Sequence, residues 1–236
     1  MDDRRLKSLH EFEEVINYKF MDIQLLNTAL THSSYAHGHE NPHQYNERLE
    51  FLGDSILSMV ISFHLFNCLK DMSEGQLTRI RANIVCEKSL FNTAKKVKIG
   101  DYIYLSKGEE NTGGRKRSSI LADAIEALIA AVFLDGGIKK AEEFVISFMK
   151  DTIESSIKNR IFNDYKSFLQ EHVQKYNLGA MKYKLLSEKG PDHSKEFQIA
   201  LYIDDKLMGK GIGKSKKDAQ QSAAKDAMTA MDIINE

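Results

Sequence analysis

The stretch from Ile120 to Leu134 restricts the fold of this chain more than any other part of the sequence. Thirteen of its 15 residues are apolar, and the two exceptions are Asp123 and Glu126. A helix that is apolar on all sides is a buried helix, and the spacing of three places both acids on one face. Buried carboxylates are costly unless a cation neutralises them, and this stretch contains no Lys or Arg. We therefore expect a helical core around acids that bind a metal, with a buried ion pair to a distant Arg as the alternative.

A second group of acids lies near the start of another helix, which is predicted from about residue 46 to 69. Glu47, Glu50 and Asp54 fall within roughly 60° of one another on this helix. The like charges of Glu50 and Asp54 and the presence of Gly53 both weaken an isolated helix, which indicates a functional site. A solvated acidic face is the simpler alternative for this helix taken alone. Together, the acids of the two helices could hold two Mg²⁺ ions, an arrangement suited to in-line attack on a phosphodiester.

The hydrophobic periodicity divides the chain into two domains. Residues 1–157 have the apolar spacing of helices, residues 158–163 are predicted to be a linker, and residues 164–236 form the second domain. The expected fold class is an all-α domain followed by an α+β domain with the order α-β-β-β-α.

Several elements are predicted within these domains. In the first, the pattern predicts single helices over 73–97, 119–134 and 138–157, and a polar loop over 108–119. In the second, apolar and polar residues alternate as in strands, and a two-residue hairpin turn is predicted at Asp204 and Asp205. Two cysteines, Cys68 and Cys86, lie in apolar stretches without the spacing of a disulfide framework or a zinc site, so we expect reduced thiols in the core.

Four segments resemble the motifs of the ribonuclease III family, in the expected order. They are ALTHSSY at 29–35, NERLEFLGDS at 46–55, EGQLT at 74–78 and SILADAIEA at 119–127. The resemblance implies that catalytic magnesium ions are held by four acids: Glu50, Asp54, Asp123 and Glu126. It also implies that Glu47 and Glu74 assist at the cleft, although Glu74 taken alone would equally suit a helix N-terminus.

The resemblance further implies a homodimer. In family members an aromatic residue of each subunit, here Phe51, inserts into a socket on its partner. Taken alone, Phe51 would more often be an ordinary core residue.

A basic segment near the end of the chain points to nucleic acid. Lysines 210, 214, 216 and 217 lie within eight residues that contain no acid, and Ser215 is a good N-cap for the last helix. Cations there oppose the helix dipole unless an anion such as phosphate is bound; a solvated lysine patch is the alternative. With the predicted α-β-β-β-α order, the segment resembles the double-stranded-RNA-binding domain, which reads A-form shape. That resemblance implies the following RNA contacts: Ser167 and Gln170 on the first helix, His193 in the loop between the first strands, and Lys214, Lys216 and Lys217. Gln220 stands where many such domains have another cation, which implies a somewhat weaker hold on phosphate.

The expected function is Mg²⁺-dependent hydrolysis of double-stranded RNA, with Mn²⁺ able to substitute. Implied products carry 5′-phosphate and 3′-hydroxyl ends with two-nucleotide 3′ overhangs, from ribosomal RNA precursors and structured messenger RNAs. The expectation is a cytoplasmic homodimer with no membrane segment and no nucleotide cofactor. The net charge of −1 would argue against nucleic acid, but it sums an acidic cluster and a basic stripe.

Other functions are less consistent with the residues. A dimeric RNA-binding protein without catalysis should lack one or more of the six acids, and all six are present. A zinc site at His32, His37, His39 and His43 would have irregular spacing. A di-iron motif at Glu40 and His43 would need a helix that Pro42 interrupts.

Overall fold

The computed structural model describes residues 1–36, 45–163, 165–191 and 195–233. It contains two compact units, Met1–Ser156 and Ile157–Glu236. The segment predicted as a linker, 158–163, is helical in its backbone, and the division into two domains at that segment stays a prediction. His193 lies outside the described residues, as do His37, Glu40, Pro42 and the remaining histidines of the 37–43 segment.

The first unit is helical and is organised around one buried helix. Helix α8 is buried on almost every side between Ile120 and Val132, as the sequence predicts, and helices α2, α4 and α6 pack against it. The helices of this unit and the one that continues into the next are α1 Asp3–Ile16, α2 Ile23–Ala29, α3 Ser33–Ala36, α4 Glu47–Cys68, α5 Glu74–Val85, α6 Glu87–Lys96, α7 Lys107–Asn111, α8 Ser118–Phe148 and α9 Lys150–Asn163.

Two of the predicted helices are wrong in their extent. The helix expected over 73–97 is interrupted at Cys86, whose backbone is extended (φ −72°, ψ 153°), so that α6 begins afresh at Glu87. The helix expected over 138–157 is divided differently, because α8 runs to Phe148 with a break at Gly137 (φ 75°). A positive φ suits glycine, which has no Cβ to clash with the backbone.

Two further expectations need correction. The segment predicted as a polar loop contains α7, which Ser106 caps by accepting a hydrogen bond from the Glu109 N–H, and one 3₁₀ turn over Gly114–Lys116. Cys68 and Cys86 are both exposed. Each lies at the end of a helix, where the apolar stretch that suggested burial has reached the surface.

Helix α4 has 22 residues and is long and apolar enough, by length and composition alone, to cross a membrane. Core helices of globular domains have the same composition, and α4 packs on α8 and α5 through one buried side. Its opposite side carries exposed apolar residues: Phe51, Met59, Phe63 and Phe66.

The second unit has the predicted α-β-β-β-α order. Along the chain, helix α10 (Tyr165–Lys175) precedes and helix α11 (Lys216–Ala230) follows an antiparallel sheet with strand order β1-β2-β3. The strands are β1 Met181–Lys189, β2 Glu196–Ile203 and β3 Lys206–Gly213.

The core of this unit joins the two helices to one face of the sheet. Leu169 from α10, Ile199 and Leu201 from β2 and Ala223 from α11 are all buried in it. The predicted hairpin turn is confirmed, since Asp204 (φ 44°) and Asp205 (φ 63°) both have the positive φ of a type I′ turn. The structure also confirms the cap at Ser215, whose side chain accepts a hydrogen bond from the Asp218 N–H.

Helices α4 and α8 approach so closely at Gly53 that no larger residue fits there. A Cβ atom added to Gly53 would lie 1.9 Å from the backbone oxygen of Glu126. The glycine that weakens α4 as an isolated helix therefore permits its contact with α8. This contact brings the acids of the two helices together.

Replacing Gly53 by Ala should destabilise the protein by about 1–3 kcal/mol or more, because the new methyl group overlaps backbone atoms of α8. Gly75→Ala is the matched control. Gly75 is also helical, and nothing lies within 4 Å of its added Cβ, so this change should be neutral or stabilising by up to about 1 kcal/mol. Urea unfolding measures both, and equal stabilities of the two variants would contradict this account of the contact.

Candidate active site

Three carboxylates from α4 and α8 converge beside the contact at Gly53. Glu50, Asp123 and Glu126 each offer an oxygen, and these oxygens all lie within 4.8 Å of one another. All three side chains are partly buried. Among the residues that the structure describes, none of the three forms an ion pair with Lys, Arg or His, so the alternative of a buried ion pair finds no support.

The electrostatics of this group centre on Glu126. The pKa of the Glu126 carboxyl is raised to about 8, and burial is the largest cause. The nearby charges of Asp54, Asp123 and Glu50 are the other causes, in that order. A carboxyl that is hard to ionise among other carboxyls indicates a site built for a positively charged partner.

Glu50 and Asp123 are affected in the same direction. The pKa of Glu50 is raised first by burial and then by the charges of Asp123, Glu47 and Asp54. The pKa of Asp123 is also raised by burial. Asp54 and Glu47 are themselves exposed, so they border the cluster on its solvent side.

This donor set fits a hard divalent cation. Carboxylate oxygens are the ligands that Mg²⁺ binds in proteins, usually one or two of them together with waters and substrate phosphates. Three unpaired carboxylates within reach of one ion, partly open to solvent, leave space for such waters and phosphates. The acidic cluster could therefore hold a divalent metal through Glu50, Asp123 and Glu126, with Asp54 adjacent.

Glu74 is the one predicted acid that this chain does not bring to the cluster. It begins α5, is exposed, and its carboxylate accepts a hydrogen bond from the Thr78 hydroxyl at 3.0 Å. It lines an apolar cavity together with Met59, Phe63 and Leu77. Its role at the cleft stays a prediction.

Glu87 is a site-adjacent acid that the sequence reasoning missed. It is the first residue of α6, its carboxylate accepts a hydrogen bond from the Ser118 hydroxyl, and its charge is the second cause of the raised Asp123 pKa. The signal that could have found it is a helix start at this position. Treating 73–97 as one helix placed Glu87 in a helix interior instead.

The predicted RNA contacts lie on α10 and around the start of α11. Gln170 is exposed and Ser167 is partly buried on α10. Lys214, Lys216 and Lys217 are all exposed beside the Ser215 cap, and no carboxylate pairs with them in the part of the unit that the structure describes. Three exposed ammonium groups beside a helix N-terminus could bind an anion such as phosphate.

The raised pKa of Glu126 predicts how stability depends on pH without a divalent cation. Between about pH 4.5 and about pH 8 the folded state keeps a proton that the unfolded state has released. The stability from this proton is fully present below the unfolded pKa and is lost as pH rises through about 8. Urea unfolding in EDTA should therefore show a falling free energy of unfolding over this range. The fall should be smaller in Glu126→Gln and unchanged in Glu143→Gln, an exposed acid of the same helix; equal falls in all three would contradict the assignment.

Comparison with known proteins covers both units. A family model described as Ribonuclease-III-like matches residues 22–153, and one described as Double-stranded RNA binding motif matches residues 165–231. Ribonuclease 3 of Caldanaerobacter subterraneus subsp. tengcongensis is 49% identical over 94% of this chain and 97% of that relative. Ribonuclease 3 of Clostridium tetani is 49% identical over 97% of each.

A solved structure resembles the helical unit. It is the nuclease domain of ribonuclease III from Campylobacter jejuni, described with a region involved in dimer formation. It matches with a TM-score of 0.57 at 39% identity and covers 60% of this chain and 96% of that one. With both family models and nearly full-length relatives in agreement, the chain belongs to the ribonuclease III family, the endoribonucleases that act on double-stranded RNA.

Proposed function

We propose that this chain is a Mg²⁺-dependent, homodimeric endoribonuclease that hydrolyses double-stranded RNA. The observation that carries the proposal is the convergence of Glu50, Asp123 and Glu126 oxygens within 4.8 Å, without an ion pair to any Lys, Arg or His that the structure describes. The proposed products have 5′-phosphate and 3′-hydroxyl ends and two-nucleotide 3′ overhangs. Mn²⁺ is expected to replace Mg²⁺, because both are hard ions that bind carboxylates.

The acidic residues hold the metal and the reacting groups in place. Glu50, Asp123 and Glu126 would hold the cation, and Asp54 would add a fourth carboxylate from the solvent side. When bound, Mg²⁺ supplies Lewis acidity to the phosphoryl group and to the attacking water. Glu47 assists at the edge of the cleft, where its charge already acts on Glu50. Glu74 is assigned the same assisting role.

The second unit binds the RNA duplex. Ser167 and Gln170 contact one minor groove, His193 contacts the next one, and the three lysines contact phosphates between them. Such a domain covers about 16 base pairs and recognises A-form shape rather than sequence. The second unit therefore requires no particular nucleotide sequence in the substrate. Ribosomal RNA precursor stems and structured messenger RNAs in the cytoplasm are the proposed substrates, and no nucleotide cofactor or membrane takes part.

The dimer is supported by an apolar stripe on the solvent side of α4. Phe51 is 79% exposed, an unusual state for a phenylalanine. Three more exposed apolar residues follow it along the helix: Met59, Phe63 and Phe66. The last three also line the cavity beside α5, which has the apolar character of a socket for an aromatic ring. The relative from Campylobacter jejuni is described with a region for dimer formation in the same domain.

The catalytic role of the acids can be separated from RNA binding with Glu126→Gln. The full chain with this change should bind a long RNA duplex as tightly as the wild type, because the duplex contacts lie in the second unit. It should lose cleavage by a factor of 100 or more, on the order of the loss when a group that stabilises the transition state is removed. A gel of end-labelled duplex with Mg²⁺ measures cleavage and maps the overhangs.

Glu143→Gln serves as the matched control for this experiment. Glu143 lies on α8 beyond the break at Gly137, is exposed, and pairs with Lys140, so cleavage should remain at the wild-type rate. Near-normal cleavage by Glu126→Gln would show that the metal-site assignment is wrong. A wild-type chain that binds duplex without cutting it under Mg²⁺ would favour the non-catalytic RNA-binding protein.

The dimer can be tested by removing the Phe51 ring. Phe51→Ala should raise the dimer dissociation constant at least tenfold, because a buried aromatic anchor at an interface commonly contributes 2 kcal/mol or more. Met21→Ala is the control, since Met21 is 83% exposed but lies between α1 and α2, where its N–H donates a hydrogen bond to Asp135. Sedimentation velocity over a range of protein concentrations measures both. Identical dissociation in the two variants, or a monomeric wild type, would contradict the proposal.

A further inference from the structure

The ammonium group of Lys166 is fixed between the two helices of the second unit. Its Nζ donates a hydrogen bond to Gln220 Oε1 at 2.8 Å and lies 5.1 Å from the centre of the Tyr183 ring. The backbone N–H of Lys166 also donates to Gln221 Oε1 at 3.0 Å. A lysine side chain normally has great rotational freedom, so these contacts hold this one in a defined place.

Each of these contacts leaves the positive charge of Lys166 in place. The amide of Gln220 and the ring of Tyr183 are both neutral, and no carboxylate pairs with Lys166 in the part of the unit that the structure describes. An ammonium group has three N–H donors, and the hydrogen bond to Gln220 uses one of them. The charge and the remaining donors can therefore serve an anion.

The location of this charge matches that of the predicted phosphate contacts. Gln220 lies three and four residues after Lys217 and Lys216, which places all three on neighbouring positions of one helix face. Lys166 also directly precedes Ser167, a predicted RNA contact on α10. The held ammonium thus lies between the proposed groove contact of α10 and the proposed phosphate contacts of α11.

We infer that Lys166 is a further phosphate contact of this chain with duplex RNA and that Gln220 is the positioning residue that holds it. The inference rests on the proposed RNA binding by the second unit. It also changes the expectation for Gln220, whose neutral side chain was expected to leave the α11 site with one cation fewer. The cation is instead supplied from α10.

The salt dependence of binding tests this inference. The affinity of the full chain for a mixed-sequence RNA duplex is measured by fluorescence anisotropy in EDTA over a series of KCl concentrations. Log affinity falls linearly with log salt concentration, and each phosphate that a cation neutralises makes this slope steeper by about 0.9 for a duplex. Lys166→Gln should therefore reduce the slope by about one and weaken binding at every salt concentration, whereas Lys166→Arg should keep the wild-type slope.

A second change tests the same charge without removing the lysine. Gln220→Glu keeps a hydrogen-bond acceptor beside Lys166 but neutralises its charge, so the slope should fall as it does in Lys166→Gln. Lys225→Gln is the matched control, because the Lys225 ammonium also lies over a ring of α10, that of Tyr165 at 5.9 Å. Lys225 is more than two turns beyond Lys216 on α11, and its replacement should leave the slope unchanged.

The outcomes separate this inference from the proposed function. The double change Lys216→Ala and Lys217→Ala should lower the slope by about two; if it leaves the slope unchanged, or if the wild type does not bind duplex, the proposed RNA interface itself is wrong. If that double change lowers the slope but Lys166→Gln and Gln220→Glu both keep the wild-type slope, Lys166 only joins α10 to α11. In that case thermal unfolding would register a loss of stability in Lys166→Gln, and the inference would be overturned.

Discussion

The backbone contact between α4 and α8 at Gly53 is the constraint on which the site depends. A glycine is required there because a Cβ would lie 1.9 Å from the Glu126 oxygen. With the helices this close, acids on adjacent turns of both helices face one another, and Glu50, Asp123 and Glu126 come within 4.8 Å. With a wider spacing between the helices, each carboxylate would be hydrated separately, and the three could not bind one shared cation.

That closeness has a cost that the helices must offset. Like charges repel, and burial disfavours the ionised form, so the pKa values of Glu50, Asp123 and Glu126 are all raised in the absence of a cation. The offset comes from the apolar surroundings, because α8 is buried almost throughout the stretch that carries the acids. Helix burial therefore holds together a cluster that its own electrostatics would separate, and a bound cation would relieve the repulsion.

Much of this arrangement could be predicted from the sequence, and the reasons for the failures are physical. Asp123 and Glu126 lie three residues apart inside an apolar stretch, and this pattern already predicts a buried helix with one charged face. The break at Cys86 was not predictable from periodicity, because the apolar spacing continues across one extended residue, and this concealed Glu87. The sequence shows that Gly53 is unfavourable for a helix, but only the packing of α8 against it explains why a glycine stands there.

Whether a charged side chain has an oppositely charged partner distinguishes functional groups from ordinary surface groups better than the net charge of the chain does. Elsewhere on the surface opposite charges meet, as in Lys96 with Asp151 and Lys140 with Glu143, and such pairs contribute little beyond solubility. In the described parts of both units, the acids at the α4–α8 contact have no cation and the lysines at the start of α11 have no carboxylate. Lys166 fits this second group, because its partner is the neutral amide of Gln220. A net charge of −1 conceals these two groups, because their opposite charges cancel in the total.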